Sequence, residues 1–296
     1  MNLTNAIDAH FHIGPEPIPR RFTADELAER EEGQIATVVL KNHFYPTTSF
    51  IQQADIGENL GLIGSVTLNN SVGGLNPEAV RGAAALTEDP IVVWFPTINA
   101  ENYLEKSDWE IRPEWVTDDS FVSRRSDDVE PVVTLEHGQL TEASEAVLEA
   151  VKETGSILAT GHISWKAARV LTERAKDLGI ETVILTHPIY QLIDMPVEVQ
   201  QELTAYDGVY AEQLYAMNTI DDIPMERIAE QIREVGPENI VMGTDMGQQG
   251  NPSSSEAMEK FCALLKAEGF DEEALQQMSE KNPSQLLGKD ITRCDK

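Results

Sequence analysis

The sequence predicts an α/β chain of the (β/α)8 barrel class. Three observations predict it: eight short apolar runs rich in β-branched residues, helix-start and helix-stop signals between them, and a length of 296 residues, which suits a barrel of roughly 250 residues with insertions. Apolar residues make up 41% of the chain, enough for a substantial core. The expectation is a single barrel domain over residues 1–296 with C-terminal helices.

The runs, in order, are Ala6 to His10, Ala36 to Leu40, Leu62 to Leu68, Ile91 to Phe95, Ile157 to Thr160, Thr182 to Leu185, Gly208 to Ala211 and Ile240 to Met242. Each has the length of a buried strand, and several are apolar throughout, as strands covered by helices should be. Between them, Thr23-Ala-Asp-Glu26 reads as a capping box, and Asn76-Pro77-Glu78 places Pro in a first helical turn. Thr141 followed by Ala143 to Val151, amphipathic Ser164 to Leu178 stopped by Gly179, and Pro196 to Leu203 continue the alternation. Beyond Ser253 the chain reads as helix. An open doubly wound sheet uses the same local code, so the pattern by itself leaves closure of the barrel undecided.

One interval breaks the rhythm. Between the fourth and fifth strands, roughly residues 99–140 form an insertion far longer than such connections usually are. It belongs to the loops above the strand C-termini, so it reads either as a lid or specificity element or as an acidic surface excursion. The excursion would end in a hairpin, with Val132 to Leu135 pairing across Glu136-His137-Gly138.

The charge balance excludes some partners. With 51 Asp and Glu against 22 Lys and Arg, the formal net charge is -29, a field that repels nucleic acid and anionic membranes. The excess is dispersed in pairs such as Asp127-Asp128 and Glu272-Glu273, which reads as halophilic adaptation to a salt-rich cytosol, with a merely acidic mesophile protein as the alternative. Two cysteines, Cys262 and Cys294, cannot build a disulfide framework. No signal peptide or membrane span is legible, so the expected location is cytoplasmic. A homo-oligomer is compatible with all of this.

The placement of the six histidines carries the chemistry. His10 and His12 stand two apart at the end of the first strand, so a period of two aims both into the barrel mouth, where they can share one metal. His162 and His187 each end a strand, and Asp245 follows the last one. A carboxylate there can bind a divalent ion and accept a proton from water. Four imidazoles and one carboxylate suit zinc, one ion or two, while nickel, iron and manganese fit the same ligand types.

In their order along the chain, Asp8-Ala-His10-Phe-His12, Thr160-Gly-His162, Thr186-His187-Pro188 and Gly243-Thr-Asp245 resemble the motifs of the amidohydrolase superfamily, and Asn282-Pro-Ser-Gln-Leu-Leu-Gly288 resembles its common ending. Gly73-Gly-Leu-Asn-Pro77 and Gly161-His-Ile-Ser164 are similar to a little-characterised branch of it. The resemblance implies that His10 and His12 hold one metal, that His162 and His187 complete a second site or orient substrate, and that Asp245 ligates metal and acts as base. Two-metal members usually bring a bridging Lys or Glu from the fourth strand, and Ile91-Val-Val-Trp-Phe-Pro-Thr97 offers neither. Lys41 is the nearest substitute, sharing a face with His43. It could be carbamylated, bind an anionic substrate group as a cation, or support the site from behind. Glu212, read as ending the seventh strand, is a further residue for substrate contact or support.

The expected function is therefore metal-dependent hydrolysis of a small-molecule amide, ester, lactone or phosphoester. Two alternatives stand beside it: a mononuclear decarboxylase or hydratase on the same scaffold, favoured by the missing bridge, and a barrel that binds a ligand without turnover. No serine-hydrolase elbow, Walker loop or dinucleotide fingerprint follows a strand.

Overall fold

The computed structural model describes residues 2–116 and 121–288. Eleven strands are described: β1 (Ile7–His12), β2 (Thr37–Lys41), β3 (Gly61–Ile63), β4 (Ser65–Thr67), β5 (Val92–Trp94), β6 (Leu135–Glu136), β7 (Gln139–Leu140), β8 (Ile157–Ala159), β9 (Val183–Leu185), β10 (Val209–Leu214) and β11 (Ile240–Gly243). All eight sequence-expected runs contain a strand. The third contains two, because the run breaks at Gly64, where an added Cβ would collide with Thr48 on the covering helix.

Pairing is parallel throughout the barrel. One ladder runs β1-β2-β3, and the other runs β4-β5-β8-β9-β10-β11. The break at Gly64 hands the chain from one ladder to the other. At the opposite seam, Asp245 N–H donates to His10 O at 2.7 Å and His12 N–H donates to Met246 O at 2.8 Å. These bonds join the last strand to the first, so the sheet is a closed ring rather than an open doubly wound one.

The helices lie where their end signals place them. Thr23 caps the helix Ala24–Glu31 in a complete capping box with Glu26, and Asn76 caps Pro77–Ala84 with Pro at its start. Thr141 caps Glu142–Thr154, and Ser164 caps Trp165–Leu178, which stops at left-handed Gly179. The chain after Ser253 forms Ser254–Ala267, Glu272–Gln276 and Asn282–Leu286. Leu286 and Leu287 pack with Ile7, Val92, Ile184 and Val241 inside the strands, plugging the barrel end opposite the functional loops.

The insertion differs from the expected hairpin. Leu135–Glu136 pairs with Gln139–Leu140 across the two-residue turn His137-Gly138, both with positive φ. That backbone belongs to a tight two-residue connection, and Val132 bridges Ala100 instead. Before the hairpin, the helix Glu101–Lys106 and the turn Pro113–Trp115 fold back over the barrel mouth. Cys294 lies outside the described residues.

Candidate active site at the barrel mouth

A cavity of about 400 Å³ opens at the C-terminal ends of the strands, the face where barrel loops gather function. His12, Lys41, His43, His162, His187 and Asp245 all line it. Three side chains form its tightest ligand group. His12 Nε2 lies 3.0 Å and His10 Nε2 3.4 Å from the same Asp245 carboxylate oxygen, and the ligand atoms of the three lie within 4.8 Å of one another. The strand reaches two residues further than the sequence run, so both histidines sit within β1. Asp245 itself holds a left-handed φ of 53°, a strained conformation for a non-glycine residue, which delivers its carboxylate into the cavity.

His162 and His187 share the cavity without joining that group. Their ring centroids are 5.0 Å apart, and His187 lies 6.1 Å from His10. His162 leans instead toward Tyr103 at 5.5 Å and Tyr190 at 5.6 Å. The turn that presents it requires Gly161, whose φ of 63° and contact with the Phe95 carbonyl leave no room for a side chain. The five expected ligands thus divide into a set of three and an outer pair.

Glu212 is not an end-of-strand residue in contact with the cavity. It lies inside β10, fully buried, behind His10. One carboxylate oxygen accepts from His10 Nδ1 at 3.1 Å and the other from His187 N–H at 3.1 Å. The shortened sequence run hid this, because polar Glu212 and Gln213 interrupt an apolar stretch that continues as strand. A carboxylate behind Nδ1 fixes the proton there and leaves the Nε2 lone pair facing forward, the arrangement that orients a histidine ligand.

Lys41 is buried with 1% of its surface exposed, Nζ 3.0 Å from His10 Nε2 and 4.4 Å from the centre of the Trp94 ring. Burial pulls its pKa down to about 8, against the opposing pull of Asp245 and Glu212. The His43 ring lies tilted against His12, 4.7 Å between centroids, and His43 Nδ1 contacts Thr97 Oγ1 at 2.9 Å. Two residues passed over in the sequence reading complete the floor. Arg20 reaches His12 Nδ1 at 3.1 Å while its Nε donates to buried Glu16, and Glu16 also accepts from His43 N–H at 2.8 Å. Glu16, His12 and His43 form a second cluster of ligand-type atoms, with Arg20 already seated against it. The signal available was Gly14-Pro-Glu-Pro-Ile-Pro-Arg20, a proline-stiffened loop directly after the His-x-His.

Burial above all holds His10, His12, His43 and His162 well below the ordinary histidine value, with neighbouring cations and imidazoles adding to it, and burial holds His187 near 4. All five are neutral imidazoles at neutral pH, the form that donates a lone pair to a metal. Two further observations fit a divalent cation. The Nδ1 atoms of His162 and His187 are buried without a partner among the described residues, and Glu212 orients His10 as a ligand. Against these, the Lys41 ammonium lies on the same His10 nitrogen, so a cation binding there must displace or repel it.

Asp8 supports the site from behind. It accepts from His10 N–H, Thr244 N–H, Thr244 Oγ1 and Ser254 Oγ, while burial raises its pKa to about 7.

Comparison with known proteins gives the fold and a family. The amidohydrolase from Pseudomonas aeruginosa is 11% identical at a TM-score of 0.58, with 95% of each chain covered. The probable dipeptidase PvdM from the same organism is 11% identical at 0.60, over 96% of this chain and 94% of that one. The N-acetyl-D-glucosamine-6-phosphate deacetylase from Mycobacterium smegmatis is 17% identical at 0.51, over 96% and 76%. At these identities the likeness shows a shared barrel fold. No curated protein matches the chain. The family model described as "Family of unknown function (DUF6282)" matches residues 5–212, well over half of the sequence, and the chain belongs to that family.

Proposed function

We propose that this protein is a metal-dependent hydrolase of a small molecule, with His10, His12 and Asp245 holding a divalent cation, zinc by ligand type, and His162 and His187 completing or bordering the site. The observation that carries the reading is the meeting of His10 Nε2, His12 Nε2 and an Asp245 oxygen within 4.8 Å of one another at the floor of a cavity. The chemistry a divalent cation supplies in such a site is Lewis acidity, which acidifies water toward a pKa of about 7 and polarises the oxygen of an amide, ester or phosphoester.

The chain's own residues supply the rest. Asp245, on a fixed left-handed backbone, accepts the proton that an attacking water must lose. Glu212 holds the His10 ring and the His187 backbone in register through its two oxygens. His162 and His187 line the cavity beside that group, where they can orient a substrate. The insertion contributes Ile111 and Trp115 to the lining of the mouth.

A second reading has one observation in its favour. β5 brings Trp94 against His10, at 4.6 Å between ring centroids, in place of a bridging Lys or Glu. This favours one ion over two, and a mononuclear decarboxylase or hydratase uses one. The test is metal analysis of the purified protein at high salt, followed by a screen of amides, lactones and phosphoesters with and without chelator. Hydrolysis abolished by chelator and restored by zinc is expected. Turnover that persists in metal-free protein overturns the reading, and decarboxylation without hydrolysis selects the second.

A further inference from the structure

His10 and His12 stand two residues apart on β1, yet their rings are held in opposite ways. Lys41 Nζ, which only donates, meets His10 Nε2 at 3.0 Å, and Glu212 lies 3.1 Å from Nδ1. The His10 proton therefore sits on Nδ1, and Nε2 carries the lone pair. Behind His12 stands Arg20 instead, its Nη2 3.1 Å from Nδ1. A guanidinium has no lone pair to offer, so it too can only donate. His12 Nδ1 is the acceptor, which puts the ring proton on Nε2. The partner of that N–H is the Asp245 carboxylate oxygen 3.0 Å away.

Arg20 is placed for this with little freedom. Its side chain is 2% exposed and its Nε donates to Glu16, which also accepts from His43 N–H. Its backbone bridges Gln248, and Arg21 N–H donates to Gly247 O at 2.7 Å, so the segment is tied to the loop that carries Asp245. A chain of donors thus runs from guanidinium through imidazole to carboxylate. For His12 Nε2 to hold a cation it must offer its lone pair, which sends the ring proton to Nδ1. There the N–H would face the N–H groups of Arg20, donor against donor, in a buried position.

We propose that Arg20 is a positioning residue: it fixes His12 with the ring proton on Nε2 and so holds down the affinity of the His-x-His pair for a divalent cation. The proposal rests on the reading of His10, His12 and Asp245 as a cation site, and two measurements on the full chain separate it from that reading.

Long-range nitrogen–proton correlation NMR of the histidine rings in chelator-treated wild-type protein, with His12 assigned by its loss in His12→Asn, should show His12 protonated on Nε2. Calorimetric titration with zinc then compares the wild-type protein with Arg20→Gln, whose amide can accept as well as donate. Because that change leaves Glu16 buried without its cation, Arg20→Gln combined with Glu16→Gln removes both charges together. Both variants should bind zinc roughly 10–100-fold more tightly, the span commanded by groups behind metal-ligating histidines. A wild-type His12 protonated on Nδ1 overturns the proposal, and this spectrum decides even if a variant fails to fold. Zinc affinity unchanged or lowered in the folded double variant also overturns it, while leaving the cation site standing. Zinc binding to none of the proteins removes the cation reading and this proposal with it.

Discussion

The two ends of the barrel are built on opposite terms. At the closed end, Ile7, Val92, Ile184 and Val241 meet Leu286 and Leu287 in an apolar plug. At the open end, only a few residues along the same strands, His10, His12, Lys41, Glu212 and Asp245 crowd together, the first four almost completely buried. Apolar packing stabilises wherever it occurs, while buried charges cost solvation that partners only offset. The contrast teaches that the closed end is built for apolar packing and the open end for chemistry, with single strands running between them.

Four measurements would break or sharpen that division. The largest effect is expected from Asp245→Asn, which should lower kcat by about 10²–10⁴-fold, the range for loss of a general base, while the unfolding midpoint moves little. Comparable loss of both would mean that the mouth also holds the barrel together. Next, Leu286→Ala should destabilise by about 2–5 kcal/mol in urea titration, as large-to-small core changes do, with metal content per folded chain unchanged.

Lys41→Met comes third. Removing an ammonium 3.0 Å from His10 Nε2 takes away a repulsive charge, so divalent metal should bind at least tenfold more tightly by titration calorimetry. Weaker binding would show that Lys41 serves as a ligand. The smallest effect concerns Asp221, whose carboxyl is raised from 3.8 to about 7, chiefly by burial and then by Asp245. The folded state keeps this proton after the unfolded chain has released it, so stability falls as pH rises from about 4 through 7 and levels off above. Asp221→Asn should therefore gain on the wild-type protein over that interval, read as urea midpoints at both ends. A constant difference across the interval would contradict the assignment.

Much of this was legible beforehand, for reasons that differ by residue. The strands announced themselves because burial on both faces demands unbroken apolar runs, and the helices because Thr23, Asn76, Thr141 and Ser164 satisfy end groups locally. His10, His12, His162, His187 and Asp245 were legible because polar residues at strand ends all face one opening. Their division into three and two was not, since that depends on ring orientation set by Tyr103 and Tyr190 from distant segments. Glu212 was misplaced because a buried polar residue inside a strand looks like its end. Arg20 and Glu16 were missed because a proline-rich loop has no period to read, and closure of the sheet rests on seam bonds between residues more than 230 positions apart.

Asp8 carries that seam into the folding process. Its carboxylate gathers donors from Thr244 and Ser254, so the first strand has its final neighbours only after almost the entire polypeptide has emerged. A nascent chain therefore carries His10 and His12 for most of its synthesis without the residue that assembles them, and contacts of such separation are slow to form. Assembly of the metal-type ligand group is by this arrangement a late event, tied to completion of the ring rather than to any local element.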